Sequence, residues 1–153
     1  MNKKFLALGL AVTTAAGYSL SAFSQVKPET LVRQRQAAMV LQGKYFNGHL
    51  RLMGQGKIPY DANAAARSAT FLEGLSRMAW DGFTPDTKGV KSATLPAAYT
   101  DAAKFKELAD RFQSESSKLV ALIKSGDEAA VKNQITAIDK VCGSCHESFR
   151  ERQ

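Results

Sequence analysis

The chain has 153 residues, 44% hydrophobic and 23% charged, with 11 Gly, 4 Pro and 2 Cys. That composition excludes a disordered chain, a collagen-like chain and a disulfide scaffold, and the length suits one domain with a single core. The formal net charge of +7, spread without a Lys/Arg cluster, is poor support for nucleic-acid binding.

Met1 to Ser24 read as a secretory signal peptide. Lys3 and Lys4 form a positive start. An apolar run from Phe5 to Val12 follows and trails into small residues. Ala22-Phe23-Ser24 sets small side chains at the cleavage positions. Cleavage is expected after Ser24, leaving residues 25–153 as the folded domain. The apolar stretch is too short, and too rich in Thr, Ser and Gly, for a spanning helix of about 20 apolar residues. No later segment is apolar for long enough to span a membrane. The expected compartment is therefore a bacterial periplasm.

Four helices are expected, and no strand pattern of period two stands out. Pro28 opens the first, where its missing N–H costs nothing, and Glu29 favours the positive helix start. Val32, Arg35, Met39, Phe46, Leu50 and Met53 then recur at helical spacing as far as Gly54. Residues 54–59 form a loop. Asp61 is an N-cap for the second helix, whose inward face reads Ala65, Ser68, Phe71, Leu72, Leu75 and Met78, ending around residues 80–82. The stretch from Gly82 to Pro96 is the longest loop, a length often functional or mobile.

The third helix starts near Thr100 or Asp101, with Phe105, Leu108, Phe112, Leu119, Leu122 and Ile123 inward. Ser125-Gly126-Asp127 is a tight break. The fourth carries Val131, Ile135, Ile138, Cys142, Cys145 and Phe149 on one face. Four such helices with mostly short links bury their stripes best as an all-α, antiparallel up-down-up-down four-helix bundle.

The only two cysteines lie in Cys142-Gly143-Ser144-Cys145-His146, the pattern CxxCH. On a helix, residues three apart share a face. Both thiols can then add to the two vinyl groups of one haem, with His146 as proximal iron ligand. This is the c-type haem attachment signature. A thioredoxin-like dithiol wants a βαβ context, which is absent. A zinc site needs further ligands, and the only other His is His49. A plain disulfide does not explain the adjacent His. One haem c, covalent through Cys142 and Cys145, is the expected cofactor.

A haem motif in the last helix of an exported bundle resembles cytochrome c′, the class II c-type cytochromes. The resemblance runs over nearly all of residues 25–153. Lys27-Pro28-Glu29 and Arg35-Gln36-Ala37-Ala38-Met39 look like that family's first helix. There an Arg-Gln pair lies against the haem and its propionates, and an apolar residue three positions on caps the distal iron face. Trp80-Asp81-Gly82-Phe83-Thr84-Pro85 is similar to the motif whose Phe lines the distal pocket. The run from Cys142 to Arg150 matches CxxCHxxYR, with Phe149 in place of the usual Tyr.

The resemblance thus makes Cys142, Cys145, Arg35, Gln36, Thr94, Met39, Phe83 and Arg150 the haem-contacting set and His146 the iron ligand. A buried Arg35 needs an anionic partner, which a propionate supplies, unless the side chain snorkels to the rim. Arg150 reaches the proximal face or is a solvated charge at a helix end. His49 reads as a surface residue, with a bis-His iron as a remote alternative. Met53 and Met78 read as core, and Trp80 as packed near the haem edge or at a helix end.

Two functions remain open. In the first, a five-coordinate high-spin iron binds small gases such as NO and CO in an apolar distal pocket without a hydrogen-bond donor. In the second, Met39 is the sixth ligand of a low-spin electron carrier, whose basic surface steers it to acidic redox partners. No catalytic set is evident, so an enzyme is not expected. A homodimer through the first two helices is implied by the resemblance.

Overall fold

The computed structural model describes residues 26–152. The expected signal peptide and its cleavage point lie outside them. Helix α1 runs Pro28–Tyr45, continues through one π turn, Phe46–Leu50, and ends with Arg51–Gly54. Helix α2 is Ala62–Leu75, α3 is Ala102–Ser125 and α4 is Glu128–Phe149. Among the described residues there is no strand, only one isolated antiparallel bridge between Thr94 and Arg150.

Local chemistry sets the boundaries. Pro28 begins α1. Asp61, Asp101 and Asp127 cap the other three, each carboxylate accepting from the backbone N–H three residues on. Gly126 ends α3 at φ 77°, a left-handed conformation that glycine adopts at no steric cost.

Each helix packs on its neighbour in sequence, and the end of α1 closes the ring against α4. Leu50, Leu72, Leu119, Ile135 and Ile138 are almost fully buried between the four. Gly54 marks a close approach of α1 to α4. A Cβ there would lie 2.7 Å from Ile135 Cγ2. Antiparallel order thus brings the start of α1 beside the end of α4. No described helix is long and apolar enough to cross a membrane.

Three expectations are corrected. Helix α2 stops at Leu75, and residues 76–79 turn before a 3-10 turn at Trp80–Gly82, with Trp80 Nε1 donating to Ser76 O at 2.6 Å. Phe71 and Met78 are not inward: they are 42% and 61% exposed. Phe71 lies one position from the buried stripe of Ala65, Ser68, Ala69 and Leu72, and packs outward on Tyr45 at a ring separation of 4.7 Å. Met78 lies beyond the helix end, so helical spacing no longer governs it.

Polar bridges join the outer edges of the helices. Glu73 on α2 accepts from Arg77 and from Ser117 on α3. Glu115 on α3 accepts from Gln134 on α4 at 2.6 Å. The Arg77 hydrogen bond lowers the Glu73 pKa, and the Gln134 hydrogen bond lowers that of Glu115. A depressed carboxylate stabilises the fold above its unfolded pKa, about 4.3, and loses that contribution as pH falls through the folded value. Urea unfolding from pH 7 down to pH 3 is expected to show a steeper acid loss in wild type than in the Glu73→Gln/Glu115→Gln double variant.

Candidate functional site

A cavity of about 810 Å³ opens along the seam between α1 and α4. Such a volume is typical of a cofactor or ligand site. Two anchors fix its ends. At one, Arg51 of α1 pairs with Asp139 of α4. At the other, Leu95 N donates to Phe149 O at 2.9 Å and Glu151 N to Ala93 O at 2.8 Å, stitching the 82–96 loop to the end of α4. Between them α1 presents Gln36, Met39, Gly43 and Asn47 in order. On the facing side α4 presents His146, Cys145 and Cys142.

The walls are aromatic. Trp80 and Phe83 stand 6.3 Å apart, Phe83 and Phe105 4.7 Å, and Phe105 meets Phe149 edge-on at 5.2 Å. Phe112 completes the floor. Phe149 is buried, so its ring packing does not need the missing tyrosine hydroxyl.

The two cysteines are half-buried and unpaired by any disulfide. Burial, reinforced by the Asp139 carboxylate, pushes the Cys142 thiol up to about 12. Burial also raises Cys145. Both are protonated thiols at neutral pH rather than reactive thiolates. His146 sits at the open mouth. Contact with the bundle and the Arg150 charge both pull its pKa below the ordinary value, which favours the neutral imidazole that a metal requires. Among the described residues no cluster of three or more His, Cys, Asp or Glu forms an all-protein metal site.

Arg35 is buried, with 2% of its surface exposed. Its guanidinium donates to five neutral protein oxygens. Nη1 donates to Gly82 O, to Thr87 Oγ1 at 3.2 Å and to Tyr99 OH at 3.0 Å. Nη2 donates to Ser92 Oγ and Thr94 Oγ1, each at 3.1 Å. The guanidinium also stacks 4.3 Å over the Phe83 ring. Thr94 is therefore an Arg35 partner on the cavity wall. The long loop is not free: Arg35 holds it from one side and the tail of α4 from the other.

The remaining expected residues divide. Gln36, Met39, Phe83 and Arg150 line the cavity. Arg150 leaves the helix, with extended backbone at φ −128°, ψ 138°. Met53 is buried in the core, while His49 is half-buried at the π turn with Nδ1 3.2 Å from Lys44 O. The wall is less apolar than expected, because Asn47, Arg51 and Asp139 also line it. Tyr99 and Ser92, as Arg35 partners, went unforeseen. The only available signal for Asn47 and Arg51 was their spacing from Met39 and Gly43.

Two thiols and an imidazole on one wall, facing a ring-lined cavity, fit a covalently held porphyrin and define a c-type cytochrome built on a helical bundle. The family description Cytochrome C' matches residues 30–150. The chain is 37% identical over 127 residues to cytochrome c' of Rubrivivax gelatinosus, covering 82% of this chain and 98% of that one. The crystal structure of that cytochrome aligns with a TM-score of 0.77 over the same shares, at 36% identity. The nitric oxide complex of a mutant cytochrome c prime from Alcaligenes xylosoxidans is 30% identical, covers 84% of this chain and 99% of that one, and has a TM-score of 0.76. The chain belongs to the cytochrome c′ family, whose members carry one covalent haem c.

Gly82 is where the loop meets α1. A Cβ there would fall 2.7 Å from Arg35 Cβ and 2.8 Å from Leu31 O. Neither atom is the free end of a side chain, so backbone must move. Gly82→Ala is expected to destabilise the protein by about 1–3 kcal/mol in denaturant unfolding. The amides of residues 82–96 are expected to lose hydrogen-exchange protection before those of α2.

Proposed function

We propose that this is an exported, periplasmic haem protein that binds small neutral gases such as NO and CO. The carrying observation is the cavity itself, with Cys142, Cys145 and His146 on one wall and Met39 on the facing one. Nitric oxide complexes are known for a relative with 30% identity over nearly its whole length.

The haem, when bound, supplies an iron that takes gas ligands and exchanges one electron. The chain's own residues do the rest. Cys142 and Cys145 would tether the ring by two thioethers, and neutral His146 would hold the iron. Met39 and Phe83 line the same cavity and would crowd the open iron position with apolar side chains. Small ligands that need no hydrogen bond are favoured there. Arg35 and Thr94 hold the loop against the cavity and, with Gln36 and Arg150 on the same lining, would offer polar partners to the haem propionates.

A second reading has Met39 Sδ as a sixth ligand and the protein as an electron carrier. Its support is that Met39 is half-buried and lines the same cavity. The reduced holoprotein separates the two. A broad visible spectrum that shifts on adding CO is expected; a sharp, intense alpha band unchanged by CO would establish Met39 ligation instead. Mass spectrometry of protein matured in a competent periplasm is expected to show one attached haem and a chain beginning at Gln25.

The strip of Leu41, Tyr45 and Phe71 across α1 and α2, with Lys44 over the Tyr45 ring and Arg67 over the Phe71 ring, is the proposed homodimer face. Leu41 and Phe71 are each 42% exposed. Sedimentation of the holoprotein is expected to give a dimer, and Phe71→Glu a monomer with unchanged CO spectra.

A further inference from the structure

The end of the cavity away from Arg35 carries a charge pair that the gas chemistry does not use. Arg51 Nε, in the last turn of α1, donates to Asp139 Oδ2 at 3.1 Å. Both residues line the cavity. Asp139 lies three residues before Cys142, on the same face of α4. The side chains are 43% and 33% exposed. A pair this open to water adds little to stability.

Its field is a separate matter. Charges on a cavity wall act through a medium less polarisable than water and are screened less than free surface charges. Asp139 stands one helical turn from the Cys142 tether on the same helix, and it is the less exposed member of the pair. At Cys142 the Asp139 carboxylate pushes the thiol up more strongly than the Arg51 guanidinium pulls it down.

We propose that Arg51 and Asp139 set the reduction potential of the haem tethered in this cavity, with Asp139 as the dominant charge and the lower potential as its effect. Reduction at an electrode adds one electron to the haem and breaks no bond. A carboxylate on the wall opposes the added charge, and a guanidinium favours it. The inference rests on the tether at Cys142, which brings the ring edge to this wall. It does not depend on whether the sixth iron position is open.

The test is a mediated electrochemical titration of the holoprotein at low and high salt. Asp139→Asn is expected to raise the midpoint potential and Arg51→Gln to lower it by a smaller amount. The double variant is expected slightly above wild type, and Asp139→Glu, which keeps the charge, close to it. Both single shifts are expected to shrink at high salt. A purely structural pair would open the cavity to water in either variant and move both potentials the same way. Shifts of the same sign, no shift at low salt, or a larger effect from Arg51→Gln would overturn the proposal. Loss of covalent haem from the wild-type chain would instead overturn the tether, and CO spectra report separately on the open iron position.

Discussion

The structure depends on α1 and α4 being held apart along one seam while the rest of the bundle closes. Apolar stripes that meet squarely would collapse onto one another, because burying them is favourable. Here the seam is pinned at both ends instead. Gly54 lies against Ile135 beside the Arg51–Asp139 pair at one end, and the loop bridge to Phe149 and Glu151 holds the other. Between the pins, α1 presents Gln36, Met39, Gly43 and Asn47 to the cavity.

Arg35 shows how polar chemistry supports that arrangement. A buried cation is costly unless its donors are satisfied. Loop oxygens from Gly82 to Tyr99 do this for both amino groups, and the Phe83 ring covers the flat face. A segment with no hydrophobic period is thereby ordered around one side chain. The same loop is tied to α4, so α1 and the haem-attachment helix share a common brace.

The helices were legible because caps and apolar spacing are local. Asp61, Asp101 and Asp127 announce their helices within four residues, and the CxxCH tail carries its chemistry in five. Two kinds of feature were not legible. The outward turn of Phe71 depends on where Tyr45 of another helix stands, and residues one position apart on a helix are only about 100° apart. The Arg35 hub and the Arg51–Asp139 pair join residues 47 to 88 positions apart in sequence. No local pattern encodes such partners. The end of α2 was missed because Ser76 carries none of the Gly or Pro punctuation that marks a stop.

The π turn at Phe46–Leu50 gives α1 a further property. A π turn holds about one residue more than an α turn, and one residue is worth about 100° of rotation. Deleting a single residue there would close the wide turn to an ordinary α turn and leave Arg51 and Met39 in nearly the same relative orientation, because the π turn already absorbs the extra residue. The turn is thus an offset absorber: it takes up one surplus residue between the stretch that lines the cavity and the stretch against α4, so that both keep their faces on one continuous rod.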